Sequence, residues 1–134
     1  MTNGGTPTGE SAAPLDAHLG LTRAVDEGAW TVLRLDPTAV AVGSSDPVVY
    51  LHGGALATCI DTASWEAVVR DHEGNWVVAD MRIDFVRLAR NEPHQVRALI
   101  RKVGRNQAVV DVEVASGDDP SRVVALGRVS LTKV

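Results

Sequence analysis

Apolar and polar positions along the chain change their period several times, and each change predicts a different element. Leu15, Leu19 and Val25 fall at helical intervals around Gly20 and predict a short helix packed on the domain. Trp30 to Leu35 alternates and is rich in β-formers, Pro37 breaks the run and Ala39 to Val42 resumes it, which predicts two short strands or one interrupted hairpin. Ser44 to Leu51 reads as a loop, because Pro47 excludes regular helix in its middle. From His52 to Arg70 apolar residues such as Leu56, Cys59, Ile60, Ala63 and Val68 surround most of the helical cylinder instead of forming one stripe, the mark of a helix buried on nearly all sides. Gly74 predicts its end as a left-handed cap, with Arg70 and His72 in the last turn, where cations suit the helix dipole.

Beyond Gly74 the period becomes two. Val77, Ala79, Met81, Ile83 and Phe85 form one dry face against Asp80, Arg82 and Asp84; Phe85 is expected in the core. Val96, Ala98 and Ile100 alternate with Arg97 and Arg101, and Gly104, Arg105 and Asn106 make a turn. Ala108, Val110, Val112 and Val114 oppose Asp111 and Glu113, and a last strand runs from Val123 to Leu131. Short turns predict antiparallel pairing. The order is therefore an α+β arrangement in which one curved sheet covers one long helix. A lone sheet has open edges and leaves one flank of the helix bare, so at least a homodimer is expected.

Composition narrows the class. The chain has 134 residues, 45% of them hydrophobic, enough for one core, so residues 15–134 are read as a single domain. Residues 1–14, small, polar and rich in Gly, Pro, Ser and Thr, are read as a disordered tail. A formal charge of −4 gives no basic surface for nucleic acid or an anionic membrane. No apolar run is long enough for a membrane span, and the N-terminus lacks a secretory pattern. The single cysteine excludes an intrachain disulfide and fits a reducing cytosol, so a cytoplasmic location is expected; Cys59, among alanines, reads as a small core hydrophobe.

The candidate chemistry lies in the central helix. His52, Gly53 and Gly54 stand where chain turns into helix, and a side-chain-free backbone there leaves amide N–H groups open to a polarised oxygen. Asp61 lies in the middle of the apolar run, where an ionised carboxylate costs several kcal/mol unless it is paired, hydrated or put to use.

The His52-Gly53-Gly54 start, the carboxylate of Asp61 and the order strand, helix, four strands resemble the hotdog-fold acyl-CoA thioesterases of the phenylacetate-degradation (PaaI-like) and 4-hydroxybenzoyl-CoA type. The similarity spans roughly residues 15–134 and includes Leu19-Gly20-Leu21, the run from Asp80 through Phe85 into Val86-Arg87-Leu88-Ala89, and the Val103-Gly104-Arg105 turn. It implies a hotdog fold, dimeric or tetrameric, and hydrolysis of an acyl-CoA thioester without metal or organic cofactor, coenzyme A being part of the substrate. It also implies that the Gly53 N–H polarises the thioester carbonyl and that Asp61 acts as general base or nucleophile. Eight residues of helix separate these groups by roughly 12 Å. One chain therefore cannot bring both to one carbonyl, whereas an antiparallel copy across a two-fold axis sets one subunit's Gly53 beside the other's Asp61.

The neighbouring positions carry paired readings. His52 either orients the thioester or caps the helix. Ser64 and Trp65 share a face with Asp61; either they line the acyl pocket, where the bulk of Trp65 favours short or compact acyl groups, or Trp65 fills core and Ser64 bonds back to the helix. Family members have a hydroxyl at the position of Trp65, an asparagine at Asp46, a glycine at Val49, and a serine or threonine in the region of Val78 and Ala79. Asp46 cannot donate as an amide does, and its charge would raise the pKa of Asp61. Gly54 joins the substrate-binding set, and Arg87, Arg90 and Arg105 either hold the phosphates of a CoA-like carrier or are simply solvated. Two other functions suit the same pattern: a non-catalytic acyl-thioester-binding protein, motivated by Asp46, Val49 and Trp65, and an acyl-thioester hydratase or dehydratase.

Overall fold

The computed structural model describes residues 13–43 and 48–134; Asp46 and residues 1–12 of the expected tail lie outside them. In chain order the described residues form α1 (Pro14–Leu19), β1 (Leu21–Arg23), β2 (Trp30–Leu35), a 3-10 turn (Ala39–Ala41), α2 (Gly53–Asp71), β3 (Trp76–Phe85), β4 (His94–Val103), β5 (Gln107–Ser116) and β6 (Val123–Lys133). The strands make one six-stranded sheet in the order β1-β2-β4-β5-β6-β3, antiparallel at every pairing. It curves around α2, the hotdog arrangement that the resemblance implies.

The helix meets the sheet along paired positions. Ala55 and Leu56, Cys59 and Ile60, Ala63 and Ser64, and Ala67 and Val68 are buried, a stripe repeating every four residues. It packs on the inner sheet face, where Val96, Val110, Val114 and Val129 are inaccessible to solvent. Burial of each such large side chain contributes about 1.5–3 kcal/mol. The approach is close at Gly127, where a Cβ would stand 2.8 Å from Ile60 Cγ2, so any larger residue there would push α2 off β6. The other stripe of α2, Ala57, Thr58, Asp61, Thr62, Trp65, Glu66 and Val69, is only half-buried. The helix is thus less enclosed within one chain than its composition predicts.

Several expected features are corrected. The first helix starts at Pro14, one residue inside the expected tail, and is shorter than Leu15 to Val25. Gly20 ends it with φ +91°, and Leu21–Arg23 is a strand paired to β2. Ala39–Ala41 is a 3-10 turn and not a strand: Ala41 is buried, and its carbonyl accepts from His52 N–H at 2.8 Å. The dry face of β3 is out of phase in its first half. The register shifts between Val78 and Asp80, so Trp76 and Val78 face inward before this bulge and Met81 and Ile83 after it, leaving Val77 43% exposed. Phe85, expected in the core, is 54% exposed: as the last residue of β3 it lies beside the first residue of α2 instead of under the helix. Finally, β3 and β4 are close in sequence but not neighbours: β3 pairs with β6, and the segment 86–93 crosses the end of the sheet. Val86 N–H donates to Val124 O at 2.9 Å there, and Leu51 N–H to Ala89 O at 2.8 Å.

Candidate active site

The start of α2 lies under that crossing segment. His52 is the N-cap, with extended backbone (φ −66°, ψ 136°), and its Nδ1 accepts from Gly54 N–H at 2.8 Å. The neutral ring therefore carries its proton on Nε2. Ala55 and Leu56 N–H both donate to His52 O, at 2.9 and 3.3 Å. Of the first-turn amides, the Gly53 N–H alone has no acceptor among the described residues. One donor is thus left for an outside oxygen at the positive end of a 19-residue helix. His52 is thereby observed as a cap, and the Gly54 amide is engaged by it rather than open to a ligand. A Cβ at Gly54 would lie 3.0 Å from His52 Nδ1, so glycine here keeps the ring in place.

Phe85 belongs to this end of the molecule, a placement that the alternating pattern concealed. A Cβ at Gly53 would stand 3.4 Å from its Cζ, so the outer edge of the ring forms a wall beside the free amide. The sequence signal was present but ambiguous: an apolar residue closing an alternating strand can end in the core or at a mouth.

Asp61 lies two turns along α2 on the half-buried stripe. Burial pushes its carboxyl above the ordinary 3.8, and the negative charge of Asp16 adds to the shift. Cys59, two residues earlier on the buried stripe, is fully enclosed. Its thiol is pushed up to about 12, first by burial and then by Asp16, which excludes thiolate chemistry there.

The other expected residues divide by position. Ser64 is buried and its hydroxyl donates to Asp61 O at 2.8 Å, bonding back to the helix. Trp65 donates from its indole Nε1 to Trp76 O at 2.9 Å and packs half-buried against the core, tying α2 to the first residue of β3. Arg87 and Arg90 are exposed at the helix-start end: Arg87 Nη1 donates to Val123 O at 2.8 Å, and the backbone of Arg90 forms an antiparallel β-bridge with that of Tyr50. Arg105 is exposed in the β4–β5 turn, with Lys102 and Asn106, at the opposite end of the sheet. One chain therefore gathers His52, Gly53, Gly54, Arg87 and Arg90, while Asp61 and Arg105 stand apart from that group. Val49 is 45% exposed, and Asp46 lies outside the described residues. Among the described residues no group of three or more His, Cys, Asp or Glu could hold a metal ion, and no helix is long and apolar enough to cross a membrane.

Known proteins share this fold. A family model described as the thioesterase superfamily matches residues 50–123, from the approach to α2 to the start of β6. No curated protein matches the chain. Among solved structures, the Escherichia coli PaaI protein from the phenylacetic acid degradation operon superposes with a TM-score of 0.77 at 24% identity, over 92% of this chain and 86% of that one. A thioesterase family protein from Silicibacter pomeroyi gives 0.80 at 21% identity, over 91% and 90%. A thioesterase from Haemophilus influenzae gives 0.74 at 19% identity, over 92% and 84%. At these identities the likeness speaks for the fold, and the family match speaks for the class of chemistry.

Proposed function

The chain belongs to the thioesterase superfamily, and from that premise we propose that it is a PaaI-like thioester hydrolase, acting on a small or aryl acyl-CoA thioester at a site shared between two subunits. The observation that carries this reading is the solitary free amide of Gly53 at the start of α2. A thioester carbonyl docked on it gains a donor for the oxyanion that forms as oxygen adds to carbon. Asp61 supplies the general base or nucleophile, and its raised pKa brings a carboxylate closer to the neutral range in which bases work best. Since roughly 12 Å of helix separates the two groups, the acid comes from the partner subunit. The half-buried stripe holding Asp61 and the open edge of β3 are the surfaces that a second copy would cover, as a dimer or a pair of dimers. Phe85 packs against the acyl or pantetheine portion next to Gly53, and Arg87 and Arg90, at the same end, meet the phosphates of coenzyme A. Coenzyme A enters as part of the substrate, and the reading needs no further cofactor. The cytoplasm, where acyl-CoA is made, is the proposed location.

Gly53→Pro tests the donor directly. Gly53 is the first helical residue after an extended N-cap, a position where proline is well tolerated, so the substitution deletes the amide hydrogen and keeps the helix. A fall in kcat of about 10²–10³ is expected. Mixing and refolding this variant with Asp61→Asn should restore about a quarter of parental activity, because half of the random dimers are mixed and each has one intact site under two-fold symmetry. A mixture as inactive as its components would overturn the shared site.

A further inference from the structure

A second carboxylate lies beneath the catalytic helix and has no part in the reaction as described. Asp16, in the first turn of α1, is 3% exposed, and its Oδ1 accepts from the Thr62 hydroxyl at 2.8 Å. Thr62 is the residue next to Asp61. The contact joins positions 46 apart in sequence, and α1 is held so that it cannot drift away. Gly20 closes the helix in the left-handed conformation, and a Cβ there would fall 1.9 Å from Asp36 O. Asp36 N–H donates to Gly20 O at 2.9 Å, Thr38 N–H to Leu19 O at 3.2 Å, and the Thr38 hydroxyl to His18 O. The chain thus clamps a short helix at its end and uses it to press an acid against one turn of α2, although burial of a carboxylate is costly.

We infer that Asp16 is a positioning residue for hydrolysis: through Thr62 it fixes the turn of α2 that carries Asp61, and it supplies the negative field in which that base works. The inference rests on the proposed role of Asp61. The surroundings leave Asp16 as the charge that acts there. On the outer sheet face, Arg97 pairs with Glu113, and Arg101 and Arg128 pair with Asp111, away from the helix. Asp80, Arg82 and Asp84 of β3 are exposed. The inner face brings one titratable group, His94, at the start of β4. From β1, Arg23 is taken up by Asp26 and Glu66, and Arg70 of α2 by Asp26 and Asp71. On α1, His18 is exposed. The field of Asp16 is felt by both Cys59 and Asp61, whose acidities it lowers. Its effect on rate is through basicity: a negative neighbour makes the Asp61 carboxylate the stronger proton acceptor.

Asp16→Asn tests the idea, since the amide oxygen still accepts from Thr62 while the charge is gone. The acid limb of kcat/KM against pH, measured with an acyl-CoA substrate, should move to lower pH by about half a unit or more. The Asp61 carboxyl, followed by carbon-13 NMR, should titrate lower by the same amount. Should the amide not pack, Asp16→Ser, neutral and still an acceptor, is expected to give the same two shifts. A limb and an NMR titration both unmoved in a folded neutral variant would overturn the inference while leaving Asp61 as the base. Retained activity in Asp61→Asn would overturn the base itself, and the positioning role with it.

Discussion

At the scale of single residues, the most informative feature is how few options the start of α2 leaves. His52 Nδ1 consumes the Gly54 amide and the His52 carbonyl takes the next two, so one N–H is free. The histidine-diglycine pattern was legible as an amide-bearing helix start, but which amide is free depends on a ring rotamer that sequence does not encode. Asp61 was legible as an acid out of place; its coupling to Asp16 was not, because nothing in a linear pattern relates positions 45 residues apart. The raised pKa of Asp61 has a consequence for stability with a definite sign. Between the unfolded value of 3.8 and the higher folded one, the native state binds more protons than the unfolded state, so stability falls as pH rises through that interval and the penalty persists at neutral pH. Asp61→Asn removes the charge. It is expected to lower kcat by about 10²–10⁴, yet to melt at a higher temperature than the parent at pH 7. That advantage should shrink as the pH falls through the raised folded value and vanish below 3.8, where the parental carboxyl becomes protonated in both states. Calorimetry across this range measures the crossover, and a variant less stable than the parent at pH 7 would contradict it.

At the scale of elements, the periodicities of β4, β5 and β6 were readable because each presents one face to a helix and one to solvent over most of its length, the register shifts of β4 (Ile100/Lys102) and β5 (Val114/Ala115) falling near the ends of those strands. β3 misled because one bulge residue, Ala79, reverses which phase faces inward, and a bulge has no distinctive composition here. Ala39 to Val42 misled in another way: four small apolar residues suit a strand by propensity, but the chain there must turn to meet His52, and burial of Ala41 is achieved by a 3-10 turn. The contact between α2 and β3 gives a test. Trp65→Phe deletes the indole donor to Trp76 O and keeps most of the packing. The expected loss is about 1 kcal/mol of stability, a fall in Tm of a few degrees, with kcat/KM within about twofold of the parent, since the substitution spares Gly53 and Asp61. A loss of activity much larger than this, with compact and bulky acyl-CoA substrates affected differently, would assign Trp65 to the acyl pocket instead.

At the scale of the whole molecule, one chain is an incomplete catalyst under the proposed mechanism. Among the described residues it ends its sheet on a ten-residue strand, β3, that pairs only with β6, and it leaves the Asp61 stripe of its central helix half-buried. A second copy would cover both and bring the two halves of the site together. Specific activity should therefore fall on dilution in parallel with the dimer fraction measured by light scattering, and a monomer with undiminished activity would refute the arrangement.

The amino-acid pattern alone determined the α+β class, the long central helix, the alternating strands β4 to β6, the glycine-marked helix start and the anomalous acid. These follow from local propensity and from burial periodicity, which act over a few residues and are written directly in the order of side chains. Tertiary structure decided the phase of β3, the placement of β3 beside β6, the exposed wall of Phe85, the one free amide and the pressing of Asp16 onto α2. Each of these depends on distances between segments far apart in the chain, set by how sheet, helix and crossing segment fit together, and no local pattern carries that information.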